Sequence, residues 1–294
     1  MREADHFADR LAAAVDEKGA PLCVGLDPML DRLPDELREE EPPQAYERFC
    51  CGIVDAVAEV AVAVKPQSAF FEALGPSGVA VFERVCDHAR AAGILVLADA
   101  KRGDIASTAA GYAAAFLEPR GAEPPLSDAM TVNPYLGGDS LQPFLGACRD
   151  HGAGIFCLVK TSNPGGVDVQ DVALADGRPL WQHVAGLVDE WGAGLVGASG
   201  LSSVGAVVGA THSGAVEAAR RLLPRSVLLL PGVGAQGAAP EDVAPAFASH
   251  PAGGLVSISR PILYAHEASG DDWRAAAAGE AARLAGELRA VAEV

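Results

Sequence analysis

The sequence is short of positive charge. Lysine and arginine together number 22 against 39 aspartates and glutamates, which gives a formal net charge of −17 at pH 7. Nucleic acids and anionic membrane surfaces are bound through basic patches, so this balance disfavours both as partners. Any anionic substrate must therefore be met by cations that are concentrated in one place.

Patterns typical of membrane spans and metal sites are also missing. No run of about 18 apolar residues occurs, and the amphipathic N-terminus lacks the apolar segment of a signal peptide. We therefore expect no membrane association and a cytoplasmic location. The seven histidines are scattered singly and the six cysteines lack C-x-x-C spacing, so we expect no metal site and buried, reduced thiols.

Short apolar runs recur along the chain and predict strands at residues 22–26, 60–64, 94–98, 130–132, 155–159, 204–208, 227–230 and 255–258. Continuous apolar runs are typical of parallel strands that are covered on both faces. Helical periodicity lies between them, at residues 46–59, 79–92, 105–117, 141–150, 180–191, 215–223 and 242–249.

This alternation predicts an α/β protein with a single (β/α)₈ TIM barrel, one domain over residues 1–294 that includes an N-terminal helix and a C-terminal helix at 271–294. For the sixth strand, residues 195–198 compete with 204–208. We favour the second segment because the only helix available before the seventh strand begins soon after Thr211.

Polar residues follow the predicted strands. The strand ends carry Asp27, Lys65, Gln67, Asp99, Lys101, Asn133, Lys160, Ser162, Thr211 and Arg260. In TIM-barrel enzymes the catalytic groups lie at the carboxyl ends of the strands. The pattern therefore predicts a polar mouth on an apolar barrel.

Lysine is rare here, with four residues against eighteen arginines, yet Lys65, Lys101 and Lys160 all lie at predicted strand ends. Lysine can give up a proton and changes its pKa readily, whereas arginine stays charged. These positions therefore favour proton chemistry or a compact point charge. A structural ion pair is the alternative for Lys101 and for Lys160.

The segment ILVLADAKRGD places Asp99 and Lys101 on the same side of a strand, and Asp104 in the turn before the next helix. A lysine between carboxylates stays protonated. Such a site can destabilise a substrate carboxylate near Asp99, stabilise the developing carbanion and protonate it from Lys101, without a cofactor. The alternative is a helix-capping aspartate beside an Asp–Lys ion pair.

The seventh strand runs into PGVGAQG, which satisfies G-x-G-x-x-G. A dinucleotide fold is disfavoured because this motif follows the seventh strand instead of the first, and because the eighth strand ends in Arg260 instead of an acid. In TIM barrels the loops after strands seven and eight often bind phosphate. Gln236 and Arg260 are then candidate side-chain donors, and a purely structural glycine turn is the alternative.

Together these segments resemble the orotidine 5′-phosphate decarboxylase family between about residues 22 and 264. LADAKRGDIASTAAGYA is similar to the family's D-x-K-x-x-D motif, and PGVGAQG and SISR are similar to its phosphate-binding end. LCVGLDP and AVKPQSAFFE are similar to its first two strand ends. KTSNPGGVDVQ and VVGATHSG are similar to a longer bacterial subgroup, type 2.

The resemblance implies a carboxy-lyase that converts orotidine 5′-phosphate to uridine 5′-phosphate (UMP) and CO₂ without a cofactor, the last step of de novo pyrimidine nucleotide biosynthesis. It implies Lys101 as the proton donor, Asp99 as the carboxylate that faces the leaving CO₂, and Lys65 as part of the charged network. It also implies a homodimer, because Asp104, Ile105 and Thr108 would reach into the partner's site.

For the substrate, the resemblance implies that Asp27 contacts the ribose, Ser162 the pyrimidine, and Gln236 and Arg260 the phosphate. Thr161 is the alternative to Ser162 for the ring contact. The roles of Lys160, Asn133 and Thr211 stay open.

Three other functions are considered. A metal-dependent decarboxylase of keto-sugar phosphates uses a similar motif, but Mg²⁺ needs oxygen ligands and the second strand here ends in Lys65. A Schiff-base aldolase needs a lysine with a lowered pKa, which neighbouring aspartates would oppose. A non-catalytic nucleotide-binding barrel would leave Lys101 and both aspartates without a task.

Overall fold

Eight parallel strands close into a barrel in sequence order in a computed structural model, which describes residues 6–211, 214–234, 238–270 and 272–293. The strands are β1 (Leu22–Leu26), β2 (Ala63–Pro66), β3 (Leu95–Arg102), β4 (Ala129–Val132), β5 (Gly154–Lys160), β6 (Ser202–Val208), β7 (Ser226–Pro231) and β8 (Gly254–Ile258). The predicted (β/α)₈ barrel is thus confirmed. That the whole chain forms one domain stays a prediction.

Helices lie between successive strands and at both ends of the described chain. The α-helices are α1 (Phe7–Lys18), α2 (Asp35–Arg38), α3 (Pro42–Val57), α4 (Ser68–Glu72), α5 (Gly75–Ala91), α6 (Ala106–Leu117), α7 (Gly138–His151), α8 (Leu180–Gly192), α9 (Ala215–Leu222), α10 (Arg260–Leu263), α11 (His266–Ser269) and α12 (Trp273–Ala292). Short 3₁₀ helices occupy Leu30–Arg32, Pro134–Leu136, Pro164–Asp168, Pro240–Phe247 and Pro251–Gly253.

The sixth strand and the helix before the eighth strand can be compared with their predicted segments. The sixth strand is β6, as favoured, and Val196 from the competing segment forms only an isolated bridge with Ser202. The helix predicted at 242–249 is instead a 3₁₀ helix at Pro240–Phe247. Pro245 lies inside it and has no N–H to donate, which disfavours a regular α-helix there.

The strands present alternate residues to two different cores. One set, which includes Val64, Ala98 and Met130, packs against the surrounding helices, while Leu97 and Phe156 belong to a second, inner cluster. Helix α1 supplies much of that inner cluster from Phe7, Ala8, Leu11, Ala12 and Val15. The Phe7 and Phe156 rings meet edge to face with centroids 6.0 Å apart. Helix α1 therefore closes the amino end of the barrel.

The six cysteines are free, and all except the half-buried Cys51 are buried. Burial raises the pKa of the Cys23 and Cys148 thiols to about 12, so both stay protonated at neutral pH. In the part of the chain that the structure describes, no helix is both long and apolar enough to cross a membrane.

Candidate active site

A cavity of about 490 Å³ lies at the carboxyl ends of the strands. Its lining comes from the ends of β2 to β7 and from the loop after β5, and comprises Lys65, Asp99, Lys101, Thr131, Leu158, Thr161, Ser162, Asn163, Gly165, Gly166, Val169, Gln170, Val207, Leu229 and Pro231. Asp99 follows the inner-cluster residue Leu97 by two positions, so it shares the inward face of β3. The polar groups therefore lie directly above the apolar interior.

Asp99 lies between two lysines at the floor of this cavity. Lys65 Nζ donates to Asp99 Oδ2 over 2.6 Å, and Lys101 Nζ donates to Asp99 Oδ1 over 2.5 Å. The side chains of Lys65 and Asp99 are 8% and 7% exposed, whereas that of Lys101 is 44% exposed. One ammonium group is thus fixed in the barrel wall, while the other can reach a ligand.

Two neutral side chains complete the contacts of Asp99. Gln67 Nε2 donates to Oδ2 over 3.1 Å, and the Thr131 hydroxyl donates to Oδ1 over 3.0 Å. Thr131 Oγ1 also accepts from the backbone N–H of Lys101 at 2.9 Å. Neither residue had a predicted role, although a polar Thr131 at an inward position of an apolar strand was a usable signal.

The charges of this cluster hold each other in the ionised state. Burial alone would raise the pKa of Asp99, but the Lys65 and Lys101 charges lower it well below its usual range. Burial alone would lower the pKa of Lys65, but the Asp99 and Asp27 charges raise it above its usual range. Lys65 and Asp99 are therefore both charged at neutral pH.

We expect Asp99 to make the folded protein sensitive to acid. Its folded pKa lies below the unfolded value of about 4, so its contribution to stability is present above that pH and is lost as pH falls towards the folded pKa. Asp99→Asn should be less stable than the wild type at about pH 7, and the difference should shrink below about pH 4. Urea unfolding of both proteins across this range measures it, and a difference that does not change with pH would contradict the expectation.

The end of β3 leaves regular strand geometry at the lysine. Lys101 has a φ of +47°, and the pairing of β3 with β4 shifts register between Ala98 and Arg102. A Cβ on Gly103 would lie 2.8 Å from the carbonyl oxygen of Asn133, so glycine permits the close approach of the two strand ends. This local geometry turns the chain after Lys101 towards Asp104.

Asp104, Ile105 and Thr108 do not line the cavity of their own chain. Asp104 Oδ1 accepts from the N–H of Ile105 at 2.8 Å, just before α6, and Ile105 is 57% exposed. Thr108 is exposed on α6. Within one chain, a carboxylate therefore lies between two lysines, instead of Lys101 lying between two carboxylates.

Asp27 follows β1 and lies close enough for its charge to raise the pKa of Lys65. Its Oδ1 atom is buried and has no hydrogen-bond partner among the described residues. The backbone here is held by Tyr264, whose hydroxyl donates to the Asp27 carbonyl over 3.0 Å and accepts from Met29 N at 2.9 Å. Asp27 thus offers an unused acceptor on a fixed backbone.

The predicted phosphate donors are only partly covered by the structure. Arg260 is exposed at the start of α10 and lines an open depression with Arg32 and Tyr264 instead of the central cavity. A Cβ on Gly234 would lie 3.4 Å from Pro261, so the segments after β7 and β8 adjoin. Gln236 lies outside the described residues.

The side chains at and after the end of β5 differ in whether they form hydrogen bonds. The Thr161 hydroxyl donates to Asn163 Oδ1 over 2.6 Å and accepts from Gln170 Nε2 at 2.7 Å. Ser162 lines the cavity, and its hydroxyl makes no hydrogen bond within the described chain. Lys160 Nζ donates to Asp171 Oδ1 over 2.6 Å, which is the structural ion pair considered for it.

The two further strand-end residues Asn133 and Thr211 differ in their hydrogen bonds. Asn133 Oδ1 accepts from Tyr135 N at 3.0 Å and so caps a 3₁₀ turn. Thr211 Oγ1 is buried without a hydrogen-bond partner among the described residues, and residue 212 beside it is outside them.

Known proteins of one family match this sequence and fold. The profile of the orotidine 5′-phosphate decarboxylase / HUMPS family matches residues 20–271. An orotidine 5′-phosphate decarboxylase from Rhodopirellula baltica is 48% identical over 272 residues, which cover 89% of each chain. A crystal structure from Streptomyces avermitilis, described under the same enzyme name, is 41% identical with a TM-score of 0.84 and covers 99% of this chain and 98% of its own. The chain belongs to the orotidine 5′-phosphate decarboxylase / HUMPS family.

Proposed function

We propose that this protein decarboxylates orotidine 5′-phosphate to UMP and CO₂, the last step of de novo pyrimidine nucleotide biosynthesis. The observation that carries the proposal is the buried Lys65–Asp99–Lys101 cluster at the floor of the cavity, in a chain 48% identical to an orotidine 5′-phosphate decarboxylase. A lysine that reaches the cavity and is positioned by a fixed carboxylate can protonate a carbanion.

In this reaction the bond between the pyrimidine ring and its carboxyl carbon breaks, and its electron pair stays on the ring. The Asp99 carboxylate, held negative by its lysines, repels the substrate carboxylate until CO₂ leaves. The Lys101 ammonium group stabilises the charge that develops on the ring carbon and then donates a proton to it. UMP results, and this chain supplies the acid without a cofactor.

The remaining candidates would hold the rest of the nucleotide. The unused Oδ1 of Asp27 suits a ribose hydroxyl, because a buried acceptor without a donor is unfavourable until a ligand supplies one. Ser162 is favoured over Thr161 for the pyrimidine, since the Thr161 hydroxyl is already bonded. Gln236 and Arg260 would bind the phosphate through side-chain donors.

We further propose a homodimer in which Asp104, Ile105 and Thr108 complete the partner's site. Ile105 and Tyr135 are 57% and 79% exposed, and α6 between them presents the small residues Ala110, Gly111 and Ala114 to solvent. An apolar exposed face of this kind is typical of a surface that a second copy covers. Asp104 starts that face, so a partner seated there receives its carboxylate.

The family also includes HUMPS proteins, and a metal-dependent reaction on keto-sugar phosphates is the second candidate. The charges disfavour it, because Lys65 and Lys101 already neutralise Asp99 from both sides. A Mg²⁺ ion at that carboxylate would face two ammonium groups at close range.

The test is the ultraviolet absorbance change of orotidine 5′-phosphate mixed with the purified protein in excess EDTA. We expect turnover at the same rate with and without EDTA. No turnover, or turnover only after Mg²⁺ is restored, would contradict the proposal and favour the metal-dependent reaction.

A further inference from the structure

The segment between β5 and α8, residues 161–179, forms much of one side of the cavity. Thr161, Ser162, Asn163, Gly165, Gly166, Val169 and Gln170 all belong to the lining. The valines Val167, Val169 and Val172 are about half exposed, so apolar packing does little to hold this segment down. Its shape therefore depends on polar contacts.

Gln170, in the middle of the segment, hydrogen-bonds to Thr161, the first residue of the segment. Its Oε1 accepts from the backbone N–H of Thr161 at 3.0 Å, and its Nε2 donates to Thr161 Oγ1 over 2.7 Å. The two bonds form a pair between one side chain and one residue, which fixes orientation as well as distance. A Cβ on Gly166 would lie 3.0 Å from Gln170 Oε1, so Gly166 lets the chain pass close to this pair.

Asp171, the residue after Gln170, makes a second contact, with Lys160 at the end of β5. Lys160 Nζ contacts Asp171 Oδ1, and the two side chains are 5% and 40% exposed. A buried ammonium group needs a partner more than a half-exposed carboxylate does. Loss of Asp171 should therefore disturb the site more than loss of Lys160.

Ser162 lies between these two contacts and the end of the neighbouring strand β6. Gly209 follows β6, and its N–H donates to the carbonyl of Lys160 over 2.7 Å. A Cβ on Gly209 would lie 2.9 Å from Ser162 N, Cα and Cβ, so the backbone of Gly209 packs directly against Ser162. Ser162 is thus held from one side by β6 and from the other by the contacts of Thr161.

We propose that Gln170 and the Lys160–Asp171 ion pair are positioning residues that hold Ser162 against the pyrimidine ring of the nucleotide. This inference rests on the proposed function, because it takes the ring to lie at Ser162. Gln170 and Asp171 act through the backbone of residues 160–162. Their contribution is specific to the ring and does not extend to the ribose or the phosphate.

The test compares UMP with ribose 5-phosphate, which lacks the ring, by calorimetry on the purified protein. For Gln170→Met we expect the Kd of UMP to rise roughly tenfold, equivalent to about 1.4 kcal/mol, while the Kd of ribose 5-phosphate changes less than about twofold. Asp171→Asn should give the same pattern, and Lys160→Met a weaker one. Asp176→Asn is the matched control, because Asp176 pairs with Arg178 in the same segment with both side chains about half exposed.

Equal losses for both ligands would mean a merely structural role and would overturn the inference, as would unchanged affinity for UMP in both Gln170→Met and Asp171→Asn. If one of these variants does not fold, the other decides the result. Failure of the proposed function is a separate observation, since it appears in the wild-type protein as no turnover of orotidine 5′-phosphate. Failure of the inference appears only in the comparison of the variants.

Discussion

Replacing Lys101 with alanine is expected to abolish decarboxylation while the protein stays folded. Lys101 is the lysine of the Asp99 cluster whose side chain is substantially exposed to the cavity, so it is the one placed to reach a substrate. Its loss removes both the proton donor and the positive charge beside the carbanion, and we expect kcat to fall by roughly 10⁴-fold or more. The ultraviolet assay measures this with saturating substrate.

The matched control is Lys101→Arg, which keeps a positive charge but does not give up a proton at neutral pH. We expect this variant to be nearly as inactive as Lys101→Ala if proton donation is the main contribution. Thermal unfolding should show that both variants fold, because Asp99 keeps Lys65, Gln67 and Thr131 as partners. An active Lys101→Ala protein would contradict the assignment of Lys101 as the acid.

Asp104→Asn is expected to lower activity strongly, although Asp104 lies outside the cavity of its own chain. In the proposed dimer its carboxylate approaches the ammonium group of Lys101 of the partner subunit and attracts it by its charge. We expect a fall in kcat/KM of roughly 10²-fold or more. Stability should change little, because within the described residues Asp104 accepts a hydrogen bond from the adjacent N–H alone. The same assay measures this fall.

Mixing two inactive variants distinguishes an active site built from two chains from an active site within one chain. If Asp104 acts across the interface, a dimer of one Lys101→Ala chain and one Asp104→Asn chain has one intact site. Random exchange of subunits should then restore about a quarter of the wild-type activity. No recovery after exchange, with dimers verified by light scattering, would place Asp104 in the site of its own chain.

The barrel could be predicted because each of its strands is a short apolar run with a polar end. β1 lies at the predicted residues 22–26, and the other strands overlap their predicted segments. The type of the helix predicted at 242–249 was wrong. Periodicity indicates which residues are buried, but the 3₁₀ geometry of Pro240–Phe247 depends on the prolines within it.

The cluster around Asp99 shows where sequence reasoning stops. Strand alternation placed Asp99 and Lys101 on one side, and strand order placed Lys65 on the adjacent strand. The sequence could not predict that Gln67 and Thr131 donate hydrogen bonds to Asp99, because such contacts depend on which polar atoms meet in three dimensions. The contacts of Gln170 and Asp171 were also missed, since they come from an irregular segment without periodicity.

Helix α1 and the inner cluster fill the barrel beneath the cavity, so the cavity has no passage through the amino end of the barrel. With Phe7, Leu11 and Val15 packed into the inner cluster, a nucleotide that enters at the mouth has to depart by the same opening. Substrate and product therefore occupy the same cavity and exclude each other. Inhibition by UMP should therefore be competitive with orotidine 5′-phosphate, which initial rates at several UMP concentrations would measure.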